Sequence, residues 1–304
     1  VDVVELQNFV PPCAGLAVSL GFFDGIHLGH QKIIEESVTF ARAQGIRSAF
    51  FTFSDHPHGI IAPRNKPRMI TTFEEKKALV SELGTDYFIW TDFTDTFRTI
   101  PAKLFIEEIL KKKMNVRAIC AGPNYHFGHN AEGNAELLMQ LGKKQGMTVT
   151  IPQPVHLDGE MVSSTLIRKY LSEGNLEKAA RMLGRSYSVK GFFRHGNESF
   201  SPYLWTVECE EEKVMPHRGV YEGKIILPQD TRGTIIYTGV YDLSSYLAVS
   251  PQAPFRGGNG DRLCISFTHL VRELEKSCNE AEIYQSLEDD RKFQASALVE
   301  KNDV

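Results

Sequence analysis

The sequence predicts an α/β protein in two parts: an N-terminal parallel sheet with flanking helices, then a smaller, mostly β domain with a C-terminal helix. Three observations carry this. Between residue 16 and about 154, short apolar runs rich in β-branched and aromatic residues alternate with longer amphipathic stretches, and strand alternating with helix implies parallel strands joined by crossover helices. From Arg185 onward the pattern becomes short strands separated by turns. The length, 304 residues with 42% hydrophobic content, suits about two domains.

In order, LAVSLGF (16–22) reads as the first strand. A helix over 30–43 follows, with Ile33, Ile34, Ser37, Val38 and Ala41 on one face. RSAFFTF (47–53) is the next strand. Thr72 and Glu75 have capping-box spacing and open a helix over 72–83. DYFIWTDF (86–93), a helix over 101–112, VRAICAG (116–122), a helix over 133–144 and MTVTIP (147–152) complete the alternation. SSTLIRKYL begins a helix over 164–173, and NLEKAARMLG leads to a boundary that divides the chain into 1–184 and 185–304. In the second part YSVKGFF, GVYEGKIIL and GTIIYTGVY read as strands, and 268–299 as a helical tail.

Composition narrows the function classes. A formal charge of −4 gives no global attraction to nucleic acid or an anionic membrane, so any bound phosphate is held locally. Five cysteines with no C-x-x-C spacing argue against a disulfide framework or a zinc ribbon and fit a reducing compartment. There is no leader-like N-terminus and no apolar run near the roughly 18 residues of a membrane span, so a cytoplasmic location is expected.

The segment that carries chemistry is GFFDGIHLGH (21–30), at the step from the first strand into the first helix. Open α/β sheets bind ligands at the carboxyl ends of their strands. Gly21, Gly25 and Gly29 remove side chains where a phosphate must approach the main chain, and the helix N-terminus adds favourable partial charge. His27 and His30 beside that terminus suit a reaction in which charge builds on phosphorus. Two other uses compete. Metal ligation lacks the nearby carboxylate or cysteine that usually completes a site, and the histidines could serve simply as helix caps. G-x-x-x-x-G-K-[ST] is absent, which excludes a P-loop. A second literal H-x-G-H, His126 to His129, follows VRAICAG without a stretch like GFFDG, and its helix starts only after Gly133. Catalysis is therefore not assigned to His129.

The chain resembles the bacterial bifunctional riboflavin kinase/FAD synthetases, within the H-x-G-H nucleotidyltransferases. GFFDGIHLGH matches that family's G-[FN]-F-D-G-x-H-x-G-H opening at each fixed position. FTFSDHP (51–57) is similar to its T-F-x-P-H-P stretch, with Asp55 where proline is usual. AGPNYHFG (121–128) is similar to G-x-[DN]-F-x-F-G, with Tyr125 for the first phenylalanine, and VSSTLIR (162–168) to I-S-S-T-x-I-R. The resemblance implies a Rossmann-like nucleotidyltransferase domain followed by a riboflavin-kinase-like barrel. It also implies transfer of AMP from ATP to FMN with Mg2+. His27, His30 and Arg168 would be catalytic. Gly21, Phe22, Asp24, Gly25, His56, Asn124, Ser163, Ser164 and Thr165 would bind ATP or FMN. The three hydroxyls at the start of helix 164–173 suit phosphate contacts.

The resemblance breaks down in the second part. The family carries H-G-x-x-R-G-R-x-L-G-F-P-T-A-N, whereas here HGNESFSPYLWTVEC (195–209) keeps His195 and Gly196 and loses the P-T-A-N run. No glutamate stands between Val240 and Asp261 where the family's base belongs. A degenerate kinase domain is expected. The alternatives are a nucleotidyltransferase acting on another phosphorylated substrate and a non-catalytic flavin or nucleotide sensor.

Overall fold

In the computed structural model the described residues are 1–61, 64, 66–195, 205–209, 213–227, 230–241, 244–251 and 260–273. The chain divides into two compact units, Val1–Ser164 and Thr165–Val304.

The first unit runs β1 (Asp2–Glu5), β2 (Leu16–Leu20), α1 (Leu28–Gln44), β3 (Arg47–Phe53), α2 (His58–Ile61), α3 (Phe73–Glu82), β4 (Tyr87–Thr91), α4 (Asp95–Arg98) and α5 (Ala102–Leu104). A π-helical stretch (Phe105–Lys113) follows, then β5 (Val116–Ala121), α6 (Ala135–Lys144), β6 (Thr148–Thr150) and the small hairpin β7 (His156–Leu157) and β8 (Glu160–Met161). The six main strands form a parallel sheet in the order β1-β4-β3-β2-β5-β6.

β2 is buried at every position, as expected of a central parallel strand covered on both faces. Leu16, Val18 and Leu20 join Ile106, Leu110 and Leu138 in one apolar cluster. On the other face Ala17 meets Ala41 and Ala118, small residues that bring α1 close enough for the Ser37 hydroxyl to donate to the Ala17 carbonyl (3.0 Å). The buried face of α1 is Ile33, Ile34, Ser37, Val38 and Ala41, the face its periodicity indicates. The capping box at Thr72 and Glu75 is formed.

Within the first unit, these details depart from the sequence expectations. β1 was not anticipated: DVVE is too short for alternation to show, and it becomes a strand by pairing with β4 at the sheet edge. The helix expected over 101–112 is a short α-turn continued by the π-helical stretch. The first helix starts at Leu28 rather than His30, because His27 caps it.

The second unit opens with α7 (its range, Ser164–Ser172, begins at the last residue of the first unit) and α8 (Leu176–Leu183). β9 (Ser188–His195), β10 (Trp205–Cys209), β11 (Gly219–Leu227), β12 (Asp230–Tyr241), β13 (Ser244–Pro251) and β14 (Arg262–Glu273) then close an antiparallel barrel in the order β10-β13-β12-β11-β14-β9. Val189, Phe193, Tyr221, Ile225, Ile236, Val249, Ile265 and Phe267 are buried in this unit. Gly223 lies at a register shift, where a Cβ would come within 2.3 Å of the Ser266 carbonyl oxygen. Only glycine allows that approach. The helical tail expected from 268 is strand as far as Glu273, held by pairing of Leu270 and Arg272 with β11. The rest of that tail, 274–299, lies outside the described residues.

Candidate active site

The sheet order places β3 on one side of β2 and β5 on the other, so the carboxyl end of β2 lies at the reversal point where α/β sheets open a ligand crevice. The Gly21–His27 loop leaves β2 there. Phe23 and Ile26 have positive φ values of 57° and 40°, a conformation that costs bulky residues about 1–3 kcal/mol each. Burial offsets that strain: Phe23 packs on Phe50 (4.7 Å) and edge-on against His30 (5.1 Å), and Ile26 is buried. A Cβ on Gly21 would lie 2.9 Å from the Phe23 ring, so glycine at 21 is what lets that ring fold back.

Asp24 is the loop's strut. Its buried carboxylate accepts from Ile70 N–H (3.0 Å), Thr71 N–H (3.1 Å) and the Thr71 hydroxyl (3.3 Å), and the Thr71 Oγ1 accepts from Gly25 N–H (2.9 Å). These bonds direct the carboxylate into the protein and hold the shape of the loop. Asp24→Ala is expected to destabilise the fold by about 1–3 kcal/mol for each buried N–H it orphans. A lower midpoint in urea unfolding with unchanged slope would register the loss; an unchanged midpoint would contradict it.

His27 and His30 come together as a stacked pair, with ring centroids 3.5 Å apart and planes 19° from parallel. His27 is the N-cap of α1, its Nδ1 accepting from His30 N–H at 3.3 Å. The capping use raised from the sequence is therefore real, and it fixes the ring at the helix N-terminus. A Cβ on Gly29 would sit 3.2 Å from the His27 ring, so Gly29 makes room for that cap. His30 Nδ1 is buried without a hydrogen-bond partner, which in a native site calls for an explanation such as an absent ligand. Burial first, then the neighbouring His27 and Lys76, hold His30 well below its ordinary pKa of 6.5. A neutral imidazole at a helix N-terminus donates one N–H to an anion without bringing a formal charge.

The end of the first unit closes on the same loop. The Ser164 hydroxyl donates to the Asp24 carbonyl at 2.7 Å, and Ser163 beside it is half-buried. Thr165 is exposed and Arg168 half-buried in the following turn of α7, within the second unit. At the end of β3, the His56 ring packs edge-on against Phe22 (4.6 Å). Asp55, standing at the proline position, pairs with Lys66 (2.6 Å) and accepts from His56 N–H (2.6 Å). A cavity of about 520 Å³ lies here, lined by Asp55, His56, Gly59, Lys66 and Phe93 among others, a size suited to a small molecule. Asn124 is exposed in the loop after β5. In the second H-x-G-H, His126 and His129 are exposed, and Gly128 is needed for packing, since a Cβ would approach the Ala102 backbone to 2.7 Å.

Sequence reasoning passed over Lys76, whose amine lies under the loop and donates to the Phe22 carbonyl (2.8 Å). Its signal was present, because Phe73, Lys76 and Val80 share one helical stripe and that stripe faces inward.

Among the described residues no group of three or more His, Cys, Asp or Glu side chains could hold a metal, and the Asp24 oxygens are engaged by N–H groups. Mg2+ commonly keeps several waters and is bound largely through substrate phosphates.

The family described as FAD synthetase matches residues 12–166. A Buchnera aphidicola protein named bifunctional riboflavin kinase/FMN adenylyltransferase is 33% identical over 212 residues, covering 69% of this chain and 68% of its own length. One of the same name from Listeria monocytogenes is 30% identical over 218 residues, covering 70% and 69%. One from Escherichia coli is 29% identical over 217 residues, covering 71% and 69%. A solved Streptococcus pneumoniae structure described as a macrolide-efflux protein superposes with a TM-score of 0.81 at 23% identity, covering 96% of this chain and 97% of that one. That likeness is one of fold. Among the described residues no helix is long and apolar enough to cross a membrane. With its two-histidine loop, its parallel sheet and these relatives, the chain belongs to the FAD synthetase family.

Proposed function

We propose that the protein is an FMN adenylyltransferase, transferring AMP from ATP to FMN to give FAD and pyrophosphate. The observation that carries this is the stacked His27–His30 pair at the N-terminus of α1, with one buried ring nitrogen lacking a partner. In the reaction an FMN phosphate oxygen forms a bond to the α-phosphorus of ATP. The bond from that phosphorus to the bridging oxygen breaks, and its electron pair leaves on pyrophosphate. His27 and His30 donate N–H groups to the charge that builds on the α-phosphate, and the main chain at Gly21, Phe22 and Gly25 lines the approach. Ser163, Ser164, Thr165 and Arg168 serve the phosphates, while Asn124 and the cavity beside His56 serve the flavin side. Mg2+, when bound, neutralises phosphate charge. No covalent nucleophile is needed.

The same reading assigns adenylyl transfer to residues 1–184 and a degenerate riboflavin-kinase-like barrel to 185–304, in a cytoplasmic enzyme. Incubation with ATP, magnesium and either FMN or riboflavin, followed by separation of the flavins, tests it. FAD from FMN alone supports the proposal, and no FAD from well-folded protein ends it. Arg168→Ala should damage this activity more than stability, since a half-buried arginine on a helix contributes modestly to folding. A large fall in melting temperature with unchanged activity per folded molecule would make Arg168 a structural residue instead.

A further inference from the structure

Lys76 is an unusual residue to find under a glycine-rich loop. It is 1% exposed, and its Nζ donates to the Phe22 carbonyl at 2.8 Å while lying 4.1 Å from the centre of the Phe22 ring. An ammonium has three donors, and among the described residues this is its one hydrogen bond. Among the described residues no carboxylate forms an ion pair with it: Asp24 and Asp55 favour its charge only from longer range. Glu75, its neighbour on α3, is turned to the Thr72 capping box, and His30 faces it from α1 as a group its charge helps to keep neutral. Nor does Phe22 depend on the lysine, because the same carbonyl accepts from the Thr52 hydroxyl at 3.0 Å.

A buried cation without a close counter-ion burdens a fold, and an apolar side chain of similar length often does better. The Phe22 carbonyl and ring contact the ammonium, but neither brings a formal negative charge to offset it. A polyphosphate lying over the loop would supply the missing negative charge. We propose that Lys76 is a positioning residue of the anion-binding loop: it keeps a positive charge beneath the Gly21–Gly29 segment that orients the phosphates of an incoming nucleoside triphosphate. This rests on the nucleotidyl-transfer reading above. Burial draws the Lys76 pKa down to about 8, with Asp24 and Asp55 pulling the other way. Near that pH part of the population has lost the proton, and a bound triphosphate, already fully ionised there, draws it back.

The test is calorimetric titration of the full chain with magnesium and ATP at pH 8, in buffers of different ionisation enthalpy, for wild type and Lys76→Met. Wild type takes up a fraction of a proton, at most about half, on binding ATP; the methionine variant takes up none. At pH 7 the variant binds ATP roughly tenfold more weakly, the effect of a one-unit rise in the Lys76 pKa on binding, while its melting temperature equals or exceeds that of wild type. Equal proton uptake in the two proteins, equal affinity, a lower melting temperature or failure of the variant to fold would each overturn the proposal. If wild type itself neither binds ATP nor makes FAD, the functional reading has failed, and that outcome is distinct because it does not depend on the variant.

Discussion

His27→Ala and His30→Ala are each expected to slow FAD formation by roughly 10²–10³-fold per folded molecule, the scale for removing one preorganised donor from a developing charge. The two losses should differ in their cost to the fold. His27 caps α1 through its Nδ1, so its replacement also removes about 0.5–2 kcal/mol of stability. His30 carries a second signature. Its folded pKa is depressed, so the unfolded chain binds a proton that the folded chain refuses. This cost is absent above the ordinary pKa of about 6.5, and stability falls as pH drops below it. Denaturation at pH 7.5 and 5.5 should show a smaller acid loss in His30→Ala than in wild type. His129→Ala should have a mild effect on activity, because that ring lies exposed on a loop whose glycine serves packing. Equal losses at His129 and His30 would remove the distinction between the two H-x-G-H segments.

Riboflavin phosphorylation is expected to be at least 10²–10⁴-fold below the level of a working kinase, the usual worth of general-base help alone. Such a kinase must position ATP-magnesium and assist removal of the riboflavin hydroxyl proton. The sequence carries no glutamate between Val240 and Asp261, and where the related kinases have threonine and asparagine it has Val207 and Cys209. The intervening SFSPYLW supplies bulky residues in place of glycines. Most of that stretch, 196–204, lies outside the described residues, so the expectation rests on the residues themselves. FMN production should be followed in a protein carrying both His27→Ala and His30→Ala, so that new FMN is not consumed. Turnover at the level of a working kinase would sink the expectation, and riboflavin binding without turnover would support a sensing role for the barrel.

The parts of this molecule legible in the sequence are those governed by neighbours along the chain. The α1 stripe, the Thr72 cap and the alternation that makes a parallel sheet all follow from spacings of a few residues. So does the placing of two histidines at the end of a strand. What sequence reading could not supply depends on distant partners. The Asp24 carboxylate holds its loop through Ile70 and Thr71, 46 and 47 residues away, bonds that no local pattern announces. β1 exists because β4 is there to pair with it. Residues 268–273 have a composition that suits a helix, yet they extend because β11 offers a ladder. Lys76 illustrates both cases: its place on an apolar stripe was visible, but only the fold brings that stripe under the loop that follows β2.

In the proposed reaction the site joins the AMP part of ATP to a flavin phosphate. The most direct measurement supplies FMN, magnesium and ATP labelled either at the α- or at the γ-phosphorus. The α label is expected in FAD while the γ label leaves in pyrophosphate, both in equal amounts and both lost together in His30→Ala. Label from the γ position in a flavin product, or no transfer of the α label by folded protein saturated with FMN, would contradict it.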